Sequence, residues 1–159
     1  MAAAQKTQQQ VIGVFDSGLG GLTVLRSLIE AFPKESFVYL GDTARLPYGS
    51  KSPQTIRRYA EQILNFLEAQ YHLKSRVIAC NTASTQMRES EWKGVPLFNV
   101  IDPGVQAALQ TTQTGRIGVM GTKATIASRA YQDRLLKVNP ELQVLGVACP
   151  LLVPLAEEG

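Results

Sequence analysis

No segment of this chain stays apolar for anything near the roughly 20 residues that a membrane span requires. The first ten residues, MAAAQKTQQQ, hold no hydrophobic stretch of the kind a secretory leader needs. Cysteine is scarce: Cys80 and Cys149 stand far apart and match no metal-ligand spacing, which suits a reduced, cytoplasmic protein. The single histidine, His72, falls where a helix gives way to a strand and reads as an ordinary helix-end residue. Charge of neither sign is massed. The net charge is +3 and the Lys and Arg residues are scattered, so the clustered basic patch of a nucleic-acid surface is missing. An internal low-complexity linker is also missing. These exclusions leave a chain of 159 residues, 45% hydrophobic, which is enough for one domain or for one domain and part of another. The polar, Gln-rich residues 1–10 read as a flexible tail.

From residue 11 short β-rich runs alternate with amphipathic stretches. Val11–Asp16, Phe37–Leu40, Arg76–Cys80, Val95–Ile101, Arg116–Gly121 and Leu142–Ala148 are the expected strands. Gly21–Phe32 is expected to be helical, with Leu22, Leu25, Leu28 and Ile29 on its buried face. Ser52 is placed to cap a helix that has Pro53 at its first position. In that helix Ile56, Ala60, Ile63, Leu64 and Leu67 recur with a period near 3.6. Further helices are expected from Thr82 to about Trp92, over 104–112, and over Thr125–Val138 with Thr125 as cap. Asp102-Pro103 is expected to stop the fourth strand. With Gly94 and Pro96 it marks the one weak boundary, and Pro150–Gly159 reads as a loop entering a helix. This alternation predicts an α/β fold, a parallel sheet with helices on its faces. Ligands of such sheets bind at the carboxyl ends of the strands. That rule directs attention to Asp16-Ser17-Gly18, the loop after strand two, Cys80-Asn81-Thr82 and Gly121-Thr122.

Each segment has a functional and a structural reading. Cys80 ends a strand and precedes a helix start, where partial positive charge would hold its thiolate and lower its pKa below about 8.5. It can equally be a small buried residue. Asn81 and Thr82 tip the balance, because both can donate to a carboxylate. In Phe15-Asp16-Ser17-Gly18-Leu19-Gly20-Gly21 the glycines permit a tight turn and close approach of a ligand. A dinucleotide-binding turn is the rival reading, with Asp42 as a ribose-binding acid. Against it, the spacing is G-x-G-G, and Asp16 would repel a pyrophosphate but suit an ammonium group. Gly41–Gly49 is long for a strand-to-helix connection; Tyr48 and Gly49 could meet a small anion, or Leu46 and Pro47 could simply pack it. Thr125 reads as a cap, Thr122 as either a cap or a contact, and Cys149 as a buried, inert thiol. Glu157 and Glu158 read as helix first-turn acids.

Taken together, Phe15-Asp16-Ser17-Gly18-x-Gly20-Gly21, Asp42-x-x-x-x-Pro47-Tyr48-Gly49, Ala79-Cys80-Asn81-Thr82-Ala83-Ser84, Gly121-Thr122-x-Ala124-Thr125, and Ala148-Cys149-Pro150 with Val153-Pro154-Leu155-x-Glu157 resemble the glutamate racemases. The resemblance covers the chain after residue 10. It implies a flavodoxin-like or Rossmann-like three-layer domain over 11–98, without its closing segment, and the start of a second, similar domain over 99–159. It implies interconversion of L- and D-glutamate by two cysteine bases, for peptidoglycan synthesis, with no cofactor and no metal. It assigns Cys80 and Asp16 to catalysis. Asp16, Ser17, Pro47, Tyr48, Gly49, Asn81, Thr82 and Thr122 fall to substrate binding, and Glu157 to support. Glutamate is the implied partner and a homodimer the implied assembly, without nucleic acid or membrane. The family's second base belongs to a Cys-Thr-His segment that these residues lack, so the chain is expected to be inactive alone, and Cys149 matches a non-catalytic position. The alternative is a non-catalytic amino-acid- or nucleotide-binding α/β module.

Overall fold

The structure, a computed structural model, describes residues 10–158. All but Gln10 of the expected tail, and the side chains of Glu157 and Glu158, lie outside the described residues. The chain runs β1 (Val11–Asp16), α1 (Gly21–Ala31), β2 (Phe37–Gly41), a 3-10 turn (Tyr48–Ser50), α2 (Pro53–Gln70), β3 (Leu73–Ile78), α3 (Asn81–Ser84), β4 (Glu91–Trp92), β5 (Val95–Asn99), α4 (Ile101–Thr111), β6 (Arg116–Gly121), α5 (Lys123–Ala127), α6 (Ala130–Val138), β7 (Gln143–Ala148) and α7 (Leu152–Glu158). Among the described residues the strands form two sheets, ordered β2-β1-β3-β5-β4 and β6-β7. All pairings are parallel except β4 with β5. This is the expected α/β class, a mostly parallel sheet with flanking helices.

Helix α2 forms as its sequence predicts. The Ser52 hydroxyl accepts the Thr55 N–H, and Pro53 stands at the start. The buried residues are Ile56, Ala60, Ile63, Leu64 and Leu67, which pack with Phe15 and Ile78 of the sheet. Each large apolar side chain removed from water contributes about 1.5–3 kcal/mol before the cost of ordering it. On the opposite face, α1 turns Val24, Leu25 and Leu28 toward Val14, Val77 and Ala79. Leu22 and Ile29, expected on that face, are exposed instead. The contact stripe is set by Gly21, whose absent Cβ would lie 2.5 Å from the Cβ of Asp16.

Four local expectations are corrected. Strand β3 ends at Ile78, not Cys80, because Cys80 is already the cap of α3. The helix expected from Thr82 to Trp92 lasts one turn. Glu91–Trp92 then pairs with Val95–Pro96 across a two-residue turn in which Lys93 and Gly94 both have positive φ, the hairpin geometry that glycine favours. Buried Arg76 fastens this hairpin, donating to the Trp92 carbonyl at 2.7 Å and to Glu68 at 2.7 Å. Asp102-Pro103 does not break the chain but lies in the first turn of α4, where proline's missing N–H is no loss. The Asn99 side chain caps that turn, accepting from the Ile101 N–H at 2.9 Å. Finally, the helix expected over Thr125–Val138 is split by Arg129, which sits in the left-handed region at φ 54°.

In the smaller sheet, Ile117, Val119 and Val144 pack beneath α4 and α6 with Ile101, Val105, Leu135 and Leu142. Residues of the opposite face alternate with these, and Met120, Leu145 and Val147 are exposed there.

Candidate active site

The two ends of the β1–β3 pair place the site. The chain leaves β1 toward β2 on one side and crosses back to β3 on the other, so a crevice opens between the carboxyl ends of β1 and β3. Asp16 and Ser17 emerge from the first end, Cys80 and Asn81 from the second, and Gly121-Thr122 from the end of β6 faces them. A cavity of about 570 Å³ lies between; Asp16, Ser17, Cys80, Asn81, Thr82 and Thr122 all line it. Its volume is that of a small-molecule site.

The turn after β1 is held by its own carboxylate. Asp16 is buried and accepts the Gly18 N–H at 2.9 Å, while Tyr39 from β2 donates its hydroxyl to the Gly18 carbonyl at 2.9 Å. Gly41 runs so close beneath that a Cβ there would meet the Gly18 carbonyl oxygen at 2.6 Å. Burial, helped by the charge of Asp16, pushes the Tyr39 phenol up to about 12, so it stays a donor.

Cys80 is 3% exposed. Its Sγ donates to the Ser17 hydroxyl at 3.3 Å and accepts the Ala83 N–H at 3.4 Å. The thiol's pKa is raised to about 11. Burial is the first cause and the Asp16 carboxylate the second; the hydrogen bonds that Ser17 and Ala83 can donate to the thiolate pull the other way without prevailing. This reverses the expected lowering. The helix that Cys80 caps has only four residues, too few peptide dipoles to offset desolvation beside a carboxylate.

The wall opposite is formed by threonines. Thr122, not Thr125, caps α5, and its hydroxyl accepts the Thr125 N–H at 3.2 Å. The same hydroxyl lies 3.1 Å from that of Thr82, which ties the end of β6 to α3. Asn81 reaches across as well, donating to the Tyr131 hydroxyl of α6 at 2.9 Å. Nothing in the local sequence around Tyr131 or Tyr39 announced these contacts, since both read as ordinary filling of a helix and a strand.

Pro47, Tyr48 and Gly49 do not line this cavity. The Tyr48 side chain is buried and its hydroxyl donates to Asp42, which also receives Arg45 Nε at 2.7 Å. Asp42 is therefore a partner for the loop rather than a free acid at the site. Gly49 presses against Thr122, where a Cβ would come within 2.5 Å of Cγ2. Pro47 and Gly49 border a small neighbouring hollow of about 110 Å³ with Thr122 and Lys123. Cys149 was expected to be buried; it is half-buried and borders the main cavity with Leu152 and Val153 of α7, its Sγ lying 3.7 Å from the Val147 carbonyl oxygen. Its strand ends beside Gly121, and the Cys149 N–H donates to the Gly121 carbonyl.

The chain is similar to proteins of known kind over nearly its whole length. A family model described as Asp/Glu/Hydantoin racemase matches residues 12–153. The glutamate racemase of Geobacter metallireducens is 50% identical over 152 residues, covering 94% of this chain and 56% of that protein. That of Aquifex aeolicus is 51% identical over 150 residues, covering 93% of this chain and 58% of its own length. Among solved structures, the glutamate racemase isoform RacE1 of Bacillus anthracis superposes with a TM-score of 0.89 at 41% identity, over 95% of this chain and 57% of that one. The Francisella tularensis glutamate racemase, solved in complex with D-glutamate, gives 0.86 at 41% identity, over 94% and 57%. The chain spans about half the length of the curated relatives it matches.

Proposed function

The chain belongs to the Asp/Glu/Hydantoin racemase family, and from that premise we propose that it carries one half of a glutamate racemase site. The observation that carries this reading is the convergence of Asp16, Ser17, Cys80, Asn81, Thr82 and Thr122 on one cavity. The set is chemically matched to an amino acid. Asp16 suits an α-ammonium, and the hydroxyls and amides of Ser17, Asn81, Thr82 and Thr122 suit carboxylates. Tyr48 and Gly49 serve the site by seating their loop against Thr122, and Glu157 supports it.

Inversion of the α-carbon needs a proton removed from one face and another delivered to the opposite face. In this reading Cys80 is the base on one face. Its thiol must first give its proton up to solvent, and the raised pKa makes that step depend on the substrate. An α-ammonium beside Asp16 cancels the carboxylate's charge and adds its own, and both effects favour the thiolate. The thiolate then takes the α-proton, and the carbanion is held by the hydrogen-bond donors that line the cavity. The opposite face is assigned to the cysteine of a Cys-Thr-His segment, which these 159 residues do not contain. We further infer a division into domains at 11–98 and 99–159, a cytoplasmic homodimer, and D-glutamate made for peptidoglycan. No helix among the described residues is long and apolar enough to cross a membrane.

Calorimetric titration of L- and D-glutamate, with NAD in parallel, tests the ligand class. Both enantiomers are expected to bind, with heats lost in Asp16→Ala. Saturable binding of NAD with glutamate silent would favour a nucleotide-binding module instead. In a polypeptide that also carries the Cys-Thr-His segment, Cys80→Ser abolishes racemisation and Cys149→Ser leaves it. Racemisation that survives Cys80→Ser removes the two-base mechanism.

A further inference from the structure

A second hollow of about 550 Å³ lies behind the threonine wall, between the 3-10 turn, residues 85–88 and α5. Lys51, Arg88 and Lys123 line it, each from a different one of these segments, and no acidic residue does. None of the three forms an ion pair among the described residues. The acid nearest to each in sequence is committed elsewhere: Asp42 pairs with Arg45, Glu89 with Arg57 and Asp133 with Arg129. The Arg88 guanidinium donates to the Ser128 carbonyl, at 3.4 Å, and Lys51 stands 6.0 Å from the ring centre of Tyr59. The apolar groove under α1 offers a contrast, because the one lysine lining it, Lys74, is neutralised by Glu35.

Three like charges converging on one concavity repel one another, and a ligand of opposite sign relieves that repulsion. The remaining lining mixes side chains that can hydrogen-bond, Ser50, Thr85, Gln86 and Ser128, with small apolar residues such as Ala124 and Ala127. Guanidinium and ammonium groups together suit phosphate oxygens, the first as a fork and the second as point charges. The volume is that of a small-molecule site, and three cations match a diphosphate better than a single carboxylate. We propose that this hollow binds a small phosphate-bearing anion, with Lys51, Arg88 and Lys123 as its ligands. The site is distinct from the candidate active cavity, although adjacent residues divide between them: Thr122 faces one and Lys123 the other. The proposal is independent of the racemase reading, since it rests on these cations alone.

The test is calorimetric titration of sodium diphosphate into the full chain at constant ionic strength, beside the double variant Lys51→Gln/Lys123→Gln and a surface control, Lys34→Gln/Lys137→Gln. Saturable one-to-one binding is expected, weakened at least tenfold in the first variant and unchanged in the control. In the unaltered protein, diphosphate should also slow N-acetylation of Lys51 and Lys123, read by mass spectrometry, and leave Lys34 and Lys137 at their original rates. That second measurement decides the matter if the double variant does not fold. Absence of saturable binding, an equal loss in the control, or uniform protection of all four lysines overturns the proposal and leaves only unspecific attraction to a basic protein.

Discussion

Alkylation of the two cysteines with iodoacetamide across the alkaline range should reveal the environment of Cys80 directly. The thiolate is the reacting species, and the Cys80 pKa is raised from 9.0 to about 11. A rise of about two units leaves roughly a hundredfold less thiolate near neutral pH than an unperturbed cysteine would have. Cys149 is half-buried at the cavity edge, so it should be labelled first. The Cys80 rate should then climb about tenfold for each unit of pH and level off only near pH 11. The midpoint of that profile, not the absolute rate, is the quantity to compare, because restricted access slows Cys80 at every pH alike. Asp16→Asn removes the second of the two upward causes and leaves burial, the larger one, in place. Its midpoint should therefore fall between 9.0 and about 11. A midpoint at or below 9.0 in the unaltered protein would refute the assignment of burial as the dominant effect. A midpoint that Asp16→Asn does not move would refute the role given to the carboxylate.

The same shift has a consequence for stability. A folded-state pKa above the unfolded one means the neutral thiol is favoured by folding, so the contribution is complete below about pH 9 and is lost as pH rises through about 11. The loss is roughly 3 kcal/mol, and urea midpoints of the unaltered protein should fall relative to Cys80→Ser over that window. Arg76→Met should cost about 2–4 kcal/mol, because it empties a buried site and frees the Trp92 carbonyl that anchors the β4–β5 hairpin; a change under about 0.5 kcal/mol in chemical denaturation would show the anchor to be dispensable. Gly49→Ala places a methyl group within 2.5 Å of Thr122 Cγ2 and should cost about 1–3 kcal/mol while weakening glutamate binding. Unaltered stability and affinity there would mean that the loop and α5 are free to part.

The elements set by local pattern were legible in the sequence. The period of Ile56, Ala60, Ile63, Leu64 and Leu67, with Ser52 and Pro53 ahead of it, specifies α2 because an 18-residue helix repeats its signal several times. The strand runs of β1, β3 and β6 and the rule of strand carboxyl ends likewise pointed to Asp16, Cys80 and Thr122 as neighbours. Local sequence misjudged elements whose ends are fixed by a side-chain cap or by turn geometry rather than by residue preference. Asn99 caps α4 and overrides the break that Asp102-Pro103 suggests, and Lys93-Gly94 closes a hairpin where a helix was expected.

What the sequence determined by itself was the alternation of the principal strands and helices, and hence which loops meet at one end of a sheet. Tertiary structure decided the state of the groups that meet there. The Cys80 pKa depends on the depth of burial and on Asp16, which lies 64 residues away in the chain. The use of Tyr48 depends on Asp42 reaching its hydroxyl first, and the convergence of Lys51, Arg88 and Lys123 depends on three segments folding around one hollow. Desolvation and charge act through space, over distances that carry no trace in the spacing of residues along the chain.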